Sequence, residues 1–87
     1  MSRRRPLETI READLITIGE LGRISGARYS TLKFYVEEGM LPFAQEDAGL
    51  TRRFERVSAL ARLNEINALK AEGLSITEIK RRLPGNF

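Results

Sequence analysis

Cysteine and histidine are both missing from this chain of 87 residues. Without cysteine there are no disulfides and no thiolate nucleophile, and without histidine there is no Ser-His relay. Lacking both, the chain cannot build the usual soft metal sites. No apolar run approaches the roughly 20 residues that span a bilayer. The start, MSRRRP, is basic, but residues 7–14 behind it are too polar to form the apolar core of a signal peptide. The carboxylates do not assemble a site either: Glu37 and Glu38 are neighbours that point in different directions, and Glu46-Asp47 lack a third ligand. A phosphate-cradling glycine loop is also absent. The expectation is a cytoplasmic protein that is not an enzyme, with no catalytic residue, no metal, no cofactor and no membrane partner.

What is present is small and mildly basic. A domain of this length buries only about 60% of the surface of its unfolded chain, so its stability margin is thin. The net charge is +3, a weak argument for nucleic acid by itself. Placement says more. Arg3, Arg4 and Arg5 form an arm, Arg23, Arg28 and Lys33 lie close together in the chain, and Arg52, Arg53 and Arg56 make a third cluster. Each group also reads as solvated surface, since 31% of the residues are charged.

Residues 17–41 read as helix, tight turn, helix. Thr17 stands three residues before Glu20, the spacing of a capping box, and Ile16 and Leu21 bracket it as a hydrophobic staple. Ile18, Leu21 and Ile24 recur at helical spacing until Ser25-Gly26 breaks the run. In the second helix Tyr29, Leu32 and Val36 form the expected core stripe, Ser30, Lys33, Phe34 and Glu37 look outward, and Gly39 suits a left-handed helix end. Two such helices make a helix-turn-helix, whose second member is narrow enough for the major groove of DNA; the same hairpin also occurs in plain helical bundles.

Around this hairpin the chain divides into three parts. Residues 1–14 are a basic arm, with residues 1–5 expected to be disordered when unbound and one short helix over residues 6–13, where Pro6 suits the first helical position. Residues 15–83 form the domain. Met40-Leu41-Pro42 closes the second helix, and the helical period then disappears. Residues 43–45 and 51–54 read as two strands joined through Glu46-Asp47-Ala48-Gly49, with Arg52 and Arg53 on opposite faces and Phe54 returning to the core. Val57, Leu60, Leu63, Ile66 and Leu69 follow at intervals of three, which drift round a helix and require cover from several sides. Ser75 and Glu78 repeat the capping-box spacing ahead of a last short helix whose inward residues are Ile76, Ile79 and Leu83. Residues 84–87 are a tail. The fold class is mainly α: a winged helix-turn-helix of about four helices with a short β-hairpin wing.

The segments ITIGELGRISG, TLKFYVEEGMLP, GLTRRF and LKAEGLSITEIKRRL, in this order, resemble the DNA-binding domain of the MerR family of bacterial regulators. The resemblance covers nearly all of residues 15–83. It implies a recognition helix in the major groove and a wing on the phosphates. By position, Ser30, Thr31 and Lys33 match the residues of that helix that face DNA, Phe34-Tyr35 match its aromatic pair, Arg52 and Arg53 match the wing, and Thr17 and Glu20 match the start of the first helix. The chain departs from the pattern in several places. Ser30 stands where many members carry Arg, leaving Arg28 or Tyr29 to substitute; Val36 replaces an acidic residue; and the acidic pair Glu46-Asp47 sits at the wing tip. Members commonly continue into a long dimerisation helix and an effector region, whereas this sequence stops at Phe87. It is therefore expected to be an excised domain, or a short member that dimerises otherwise or assembles side by side on DNA.

The expected partner is double-stranded DNA, bound sequence-specifically in transcription control in the bacterial nucleoid, with a homodimer or side-by-side assembly and, by resemblance, RNA polymerase as further partners. Phosphate clamping falls to Arg52, Arg53 and Lys33, and base reading to Arg28, Tyr29, Ser30 and Thr31. Alternatives remain at single residues. Tyr35 either packs or touches phosphate, Phe34 is buried under the wing or meets the DNA backbone, and Arg52 and Arg53 bind phosphate or pair with Glu46, Asp47 or Glu55. Two other functions stay open: an architectural accessory such as an excisionase or partition factor, and a protein-binding adaptor or antitoxin-like module using residues 57–69.

Overall fold

A computed structural model of the chain describes residues 5–46 and 52–83. Its elements run α1 (Leu7–Glu12), β1 (Leu15–Ile16), α2 (Ile18–Ser25), α3 (Tyr29–Glu37), β2 (Gln45–Glu46), β3 (Arg52–Glu55), α4 (Arg56–Ala71) and α5 (Ile76–Arg82). The short α1 is the fifth helix beside the expected four. Pro6 is its N-cap residue rather than its first helical residue, with extended backbone.

The start of α2 is built by its sequence. Thr17 Oγ1 accepts from the Glu20 amide at 3.2 Å and Glu20 Oε1 accepts from the Thr17 amide at 2.9 Å, while Ile16 and Leu21 are both fully buried beside the cap. The cap occupies one oxygen of a carboxylate whose side chain is only 13% exposed, which leaves charge to be neutralised. Arg5 supplies it. Its Nε donates to Glu20 Oε2 at 2.6 Å and its Nη2 to Oε1 at 2.7 Å, and Arg23 Nη1 donates to the Arg5 carbonyl at 2.6 Å. The expectation of a disordered arm is thus corrected at Arg5; residues 1–4 lie outside the described residues.

The bonds from Arg5, and after them the Thr17 amide, hold the Glu20 carboxyl down to about 2 from its ordinary 4.5, against the opposing effect of burial. A carboxylate whose folded pKa is depressed adds stability above its unfolded pKa and loses it as pH falls through the folded value. Denaturant titrations at a series of pH values are therefore expected to show stability falling between about pH 4.5 and pH 2. Glu20→Gln should lower stability at neutral pH and flatten that acid limb.

Gly26 ends α2 with φ +79°, and Gly22 lets α3 approach: a Cβ there would stand 3.2 Å from the Ala27 carbonyl and 3.6 Å from Leu32 Cδ1. On α3 the core stripe differs from the expected one. Leu32 and Tyr35 are buried and Val36 is half-buried, but Tyr29 is 58% exposed. Both stripes satisfy helical spacing. The packing of α2 onto α3 favours the Leu32–Tyr35 side, which rolls Tyr29 outward. Gly39 terminates the helix at φ +74°, and Met40 and Leu41 drop into the core.

β3 is the centre of a small antiparallel sheet in the order β1-β3-β2. Gln45 pairs with Arg53 and Glu46 with Arg52, so the hairpin lies one residue later than expected, and the predicted turn from Asp47 onward falls outside the described residues. β1 was not anticipated. It pairs Leu15 with Glu55 and Ile16 with Phe54, tying the chain before α2 to the strand before α4. Phe54 is fully buried.

Along α4, Ala59, Leu63 and Ile66 are buried, while Leu60 and Leu69 are half-buried. Val57, expected to be covered, is 63% exposed, because α2, β3 and α5 pack on other sides of this helix. The second capping box forms at Ser75 and Glu78, and Ile79 and Leu83 reach the core, with Ile76 half-buried.

Candidate nucleic-acid interface

At about 100° per residue, Tyr29, Lys33, Glu37, Ser30 and Phe34 occupy a continuous arc of roughly 140° on α3. All five are exposed, and Arg28 is exposed just ahead of them at the N-cap position. Thr31 is half-buried at the border. A helix of this kind, about 10–12 Å across with its side chains, fits a major groove about 12 Å wide.

A cleft lies on each side of this arc. The first, of about 310 Å³, runs between α3 and the β2–β3 hairpin and is lined by Thr17, Ile18, Tyr29, Lys33, Val36, Arg52 and Phe54. Two cations and two hydroxyls converge there, and none of the described residues lining it is acidic, a chemistry suited to a phosphate. The Thr17 hydroxyl accepts the Glu20 amide and keeps its own proton to donate outward. The Arg52 guanidinium carbon lies 4.8 Å from the centre of the Phe43 ring, a cation–π contact that limits the rotamers of a long side chain. Arg52 is exposed and Arg53 half-buried, as alternation along a strand requires.

The second cleft, of about 460 Å³, separates the α2–α3 turn from α4 and is lined in part by Arg28, Thr31, Tyr35, Asn64, Asn67 and Lys70. A shallower recess continues it past Ser30, Phe34 and Ile76. Lys70 Nζ reaches Tyr35 Oη at 3.4 Å. Asn64, Asn67 and Lys70 were missed in the sequence reading. Each follows an apolar member of the three-residue series, so the polar series was legible, but its position opposite α3 was not.

The aromatic pair divides. Tyr35 is 3% exposed, so its ring packs in the core, the first of the two expected alternatives, while the residue also borders the second cleft and its hydroxyl meets Lys70. Phe34 is 40% exposed and stands beside Ile76 on the α5 side, not under the wing. Of the expected DNA-facing residues, the structure brings Thr17, Tyr29, Lys33 and Arg52 together in one cleft and Arg28, Ser30, Thr31 and Phe34 along the arc and its far border. Arg53 lines neither cleft. Among the described residues no group of three His, Cys, Asp or Glu side chains could hold a metal, and no helix is long and apolar enough to cross a membrane.

Comparison with known proteins bears on this geometry. The family model described as MerR HTH family regulatory protein matches residues 16–86. An HTH-type transcriptional activator SoxR homolog from Chromobacterium violaceum is 38% identical over 68 residues, covering 78% of this chain and 45% of that protein. The nodulation protein NolA of Bradyrhizobium sp. (strain NC92) is 35% identical over 68 residues, covering 78% of this chain and 28% of that protein. Among solved structures, HiNmlR, a MerR family regulator lacking the sensor domain, bound to promoter DNA, is similar with a TM-score of 0.66 and 34% identity, over 77% of this chain and 50% of that one. The chain thus spans less than half the length of these curated relatives.

Proposed function

Because the chain belongs to the MerR family of helix-turn-helix regulatory proteins, we propose that it is the sequence-specific DNA-binding part of a transcriptional regulator, with α3 in the major groove of a promoter. The observation that carries this reading is the pair of cation-bearing clefts flanking the exposed arc of α3. A helix lying in the major groove has a phosphate backbone on either side, and the two clefts supply a seat for each.

On the wing side Lys33, Arg52 and the Thr17 hydroxyl hold one strand, with Arg53 adding charge from the hairpin. On the α4 side Lys70, Asn67 and Arg28 hold the other. These contacts set register and most of the affinity but carry no sequence information. Base edges are left to Arg28, Tyr29, Ser30 and Thr31; Phe34 offers an apolar ring to sugar or to a thymine methyl group. With serine at position 30, the bidentate contact to guanine falls to Arg28. Activity in the bacterial nucleoid, a homodimer on inverted half-sites or a side-by-side assembly, and contact with RNA polymerase belong to the same proposal; HiNmlR bound to promoter DNA supports its DNA-binding part.

The test is selection of bound sequences from randomised duplex DNA at a series of ionic strengths. Recovery of one defined site, in inverted copies if the protein binds as a dimer, is the expected result. Retention without any shared sequence would replace the regulator with an architectural protein. No retention at low salt would refute DNA binding and leave a protein-binding adaptor.

A further inference from the structure

Arg62 lies on the inner side of α4, one turn from the buried Ala59 and one turn from the buried Ile66, and its side chain is only 10% exposed. A guanidinium withdrawn this far from water needs fixed partners. Its Nη1 donates to the Met40 carbonyl at 2.9 Å, and its Nε stands 3.7 Å from Glu65 Oε1 on the same helix. Met40 is where the chain turns from α3 toward the hairpin. Its amide and that of Leu41 both close on the Tyr35 carbonyl, and both side chains are buried. Four residues later the Ala44 amide donates to the Arg53 carbonyl as the chain enters the hairpin. The connection is thus held at both ends. Phe43 stands between them, with the Arg52 guanidinium carbon 4.8 Å from the centre of its ring. Arg62 itself lines neither cleft.

We propose that Arg62 is a positioning residue for DNA binding: by holding the Met40 carbonyl it sets where the chain leaves α3, and through Phe43 it places Arg52 across the wing-side cleft from Lys33. The inference rests on the DNA-binding reading above. Only Leu41 and Pro42 separate Met40 from Phe43, and the proline fixes a backbone dihedral, so a shift at Met40 is carried to the Phe43 ring. The spacing of the two cations is therefore set from α4, not by the hairpin alone. Arg62 acts on affinity through Arg52, and its effect is the same for every sequence, because that contact is to phosphate.

The experiment titrates the wild-type chain, Arg52→Ala, Arg62→Met and Arg52→Ala/Arg62→Met against one selected duplex from about 50 to about 200 mM salt, with melting curves recorded in parallel. Methionine keeps the apolar stem and removes the donor. Arg62→Met should select the same site and bind at least about tenfold more weakly. Its salt slope should be shallower by about 0.9, so that the wild-type advantage shrinks about 3.5-fold across that range. Arg11→Ala, equal in charge to Arg62→Met, should keep the wild-type slope. The double variant should bind as Arg52→Ala does, since the two residues act on one contact. A purely structural role for Arg62 would lower the melting temperature and leave the slope of the folded protein alone. If Arg62→Met does not fold at the titration temperature, Arg62→Lys replaces it in the cycle. Its ammonium ends one bond short of the Met40 carbonyl, and a shallower slope at unchanged net charge is the expected result. Wild-type affinity and slope in the folded Arg62 variant, or a loss that simply adds to that of Arg52→Ala, would overturn the positioning role. Wild-type affinity in Arg52→Ala would overturn it too, by removing the contact on which Arg62 acts. Absence of binding by the wild type would instead overturn the DNA-binding reading itself.

Discussion

Replacing Phe54 with alanine is expected to lower the melting temperature by about 12 to 40 °C, or to abolish a cooperative transition altogether. Phe54 is fully buried, pairs with Ile16 across β1 and β3, and sits one residue before the Glu55–Arg56 junction into α4. Its ring thus joins the sheet to the helices and forms part of the floor of the wing-side cleft. Truncating a buried phenylalanine costs about 3–5 kcal/mol through lost transfer energy and the cavity left behind. A domain this small has a total stability of only about 4–13 kcal/mol. Far-UV circular dichroism during heating measures the loss. Val57→Ala, at a site 63% exposed, is the control and should stay within about 0.5 kcal/mol of wild type. A Phe54→Ala protein melting within a few degrees of wild type would show that the β1–β3 junction is dispensable to the core.

The largest functional effect is expected from Lys33→Ala combined with Arg52→Ala. Both cations line the wing-side cleft, from opposite walls, and Phe43 braces one of them. Two charge-assisted contacts, at about 1.5–3 kcal/mol each, correspond to a loss of at least a hundredfold in DNA affinity. The salt slope should become shallower by about 1.8, and every sequence should weaken alike, since phosphates carry no base identity. Neither side chain is in the core, so the melting temperature should hardly move. Arg11→Ala on α1, which also removes positive charge but lines neither cleft, should bind nearly as wild type does. Affinity within threefold of wild type in the folded double variant would remove the phosphate role of the cleft, and with it the wing-side half of the two-strand grip.

The parts of the fold that were legible beforehand are those settled by neighbours in the chain. Thr17 with Glu20 and Ser75 with Glu78 bond across three residues, so their capping boxes follow from spacing alone. Gly26 and Gly39 mark helix ends because their backbones adopt a left-handed conformation that other residues rarely take. The outward positions of Ser30, Lys33 and Phe34 followed from the helical period once Leu32 was assigned to the core.

What was illegible depends on partners distant in the chain. The two residues of β1 are too few to show alternation, and they form a strand only because β3 lies alongside. Tyr29 and Tyr35 each fit a helical stripe containing Leu32, and the packing of α2 chose between them. The Arg5–Glu20 pair spans fifteen residues and the Lys70–Tyr35 contact thirty-five, beyond any local pattern. The sequence by itself determined the helix-turn-helix, its caps, its winged order and the residue types that suit DNA, because these rest on local hydrogen bonds and periodicity. Tertiary structure alone decided which tyrosine is buried, that Arg5 pairs with Glu20, and that cations from α3, the hairpin and α4 converge as two clefts, because burial and charge pairing are properties of surfaces that only folding brings together.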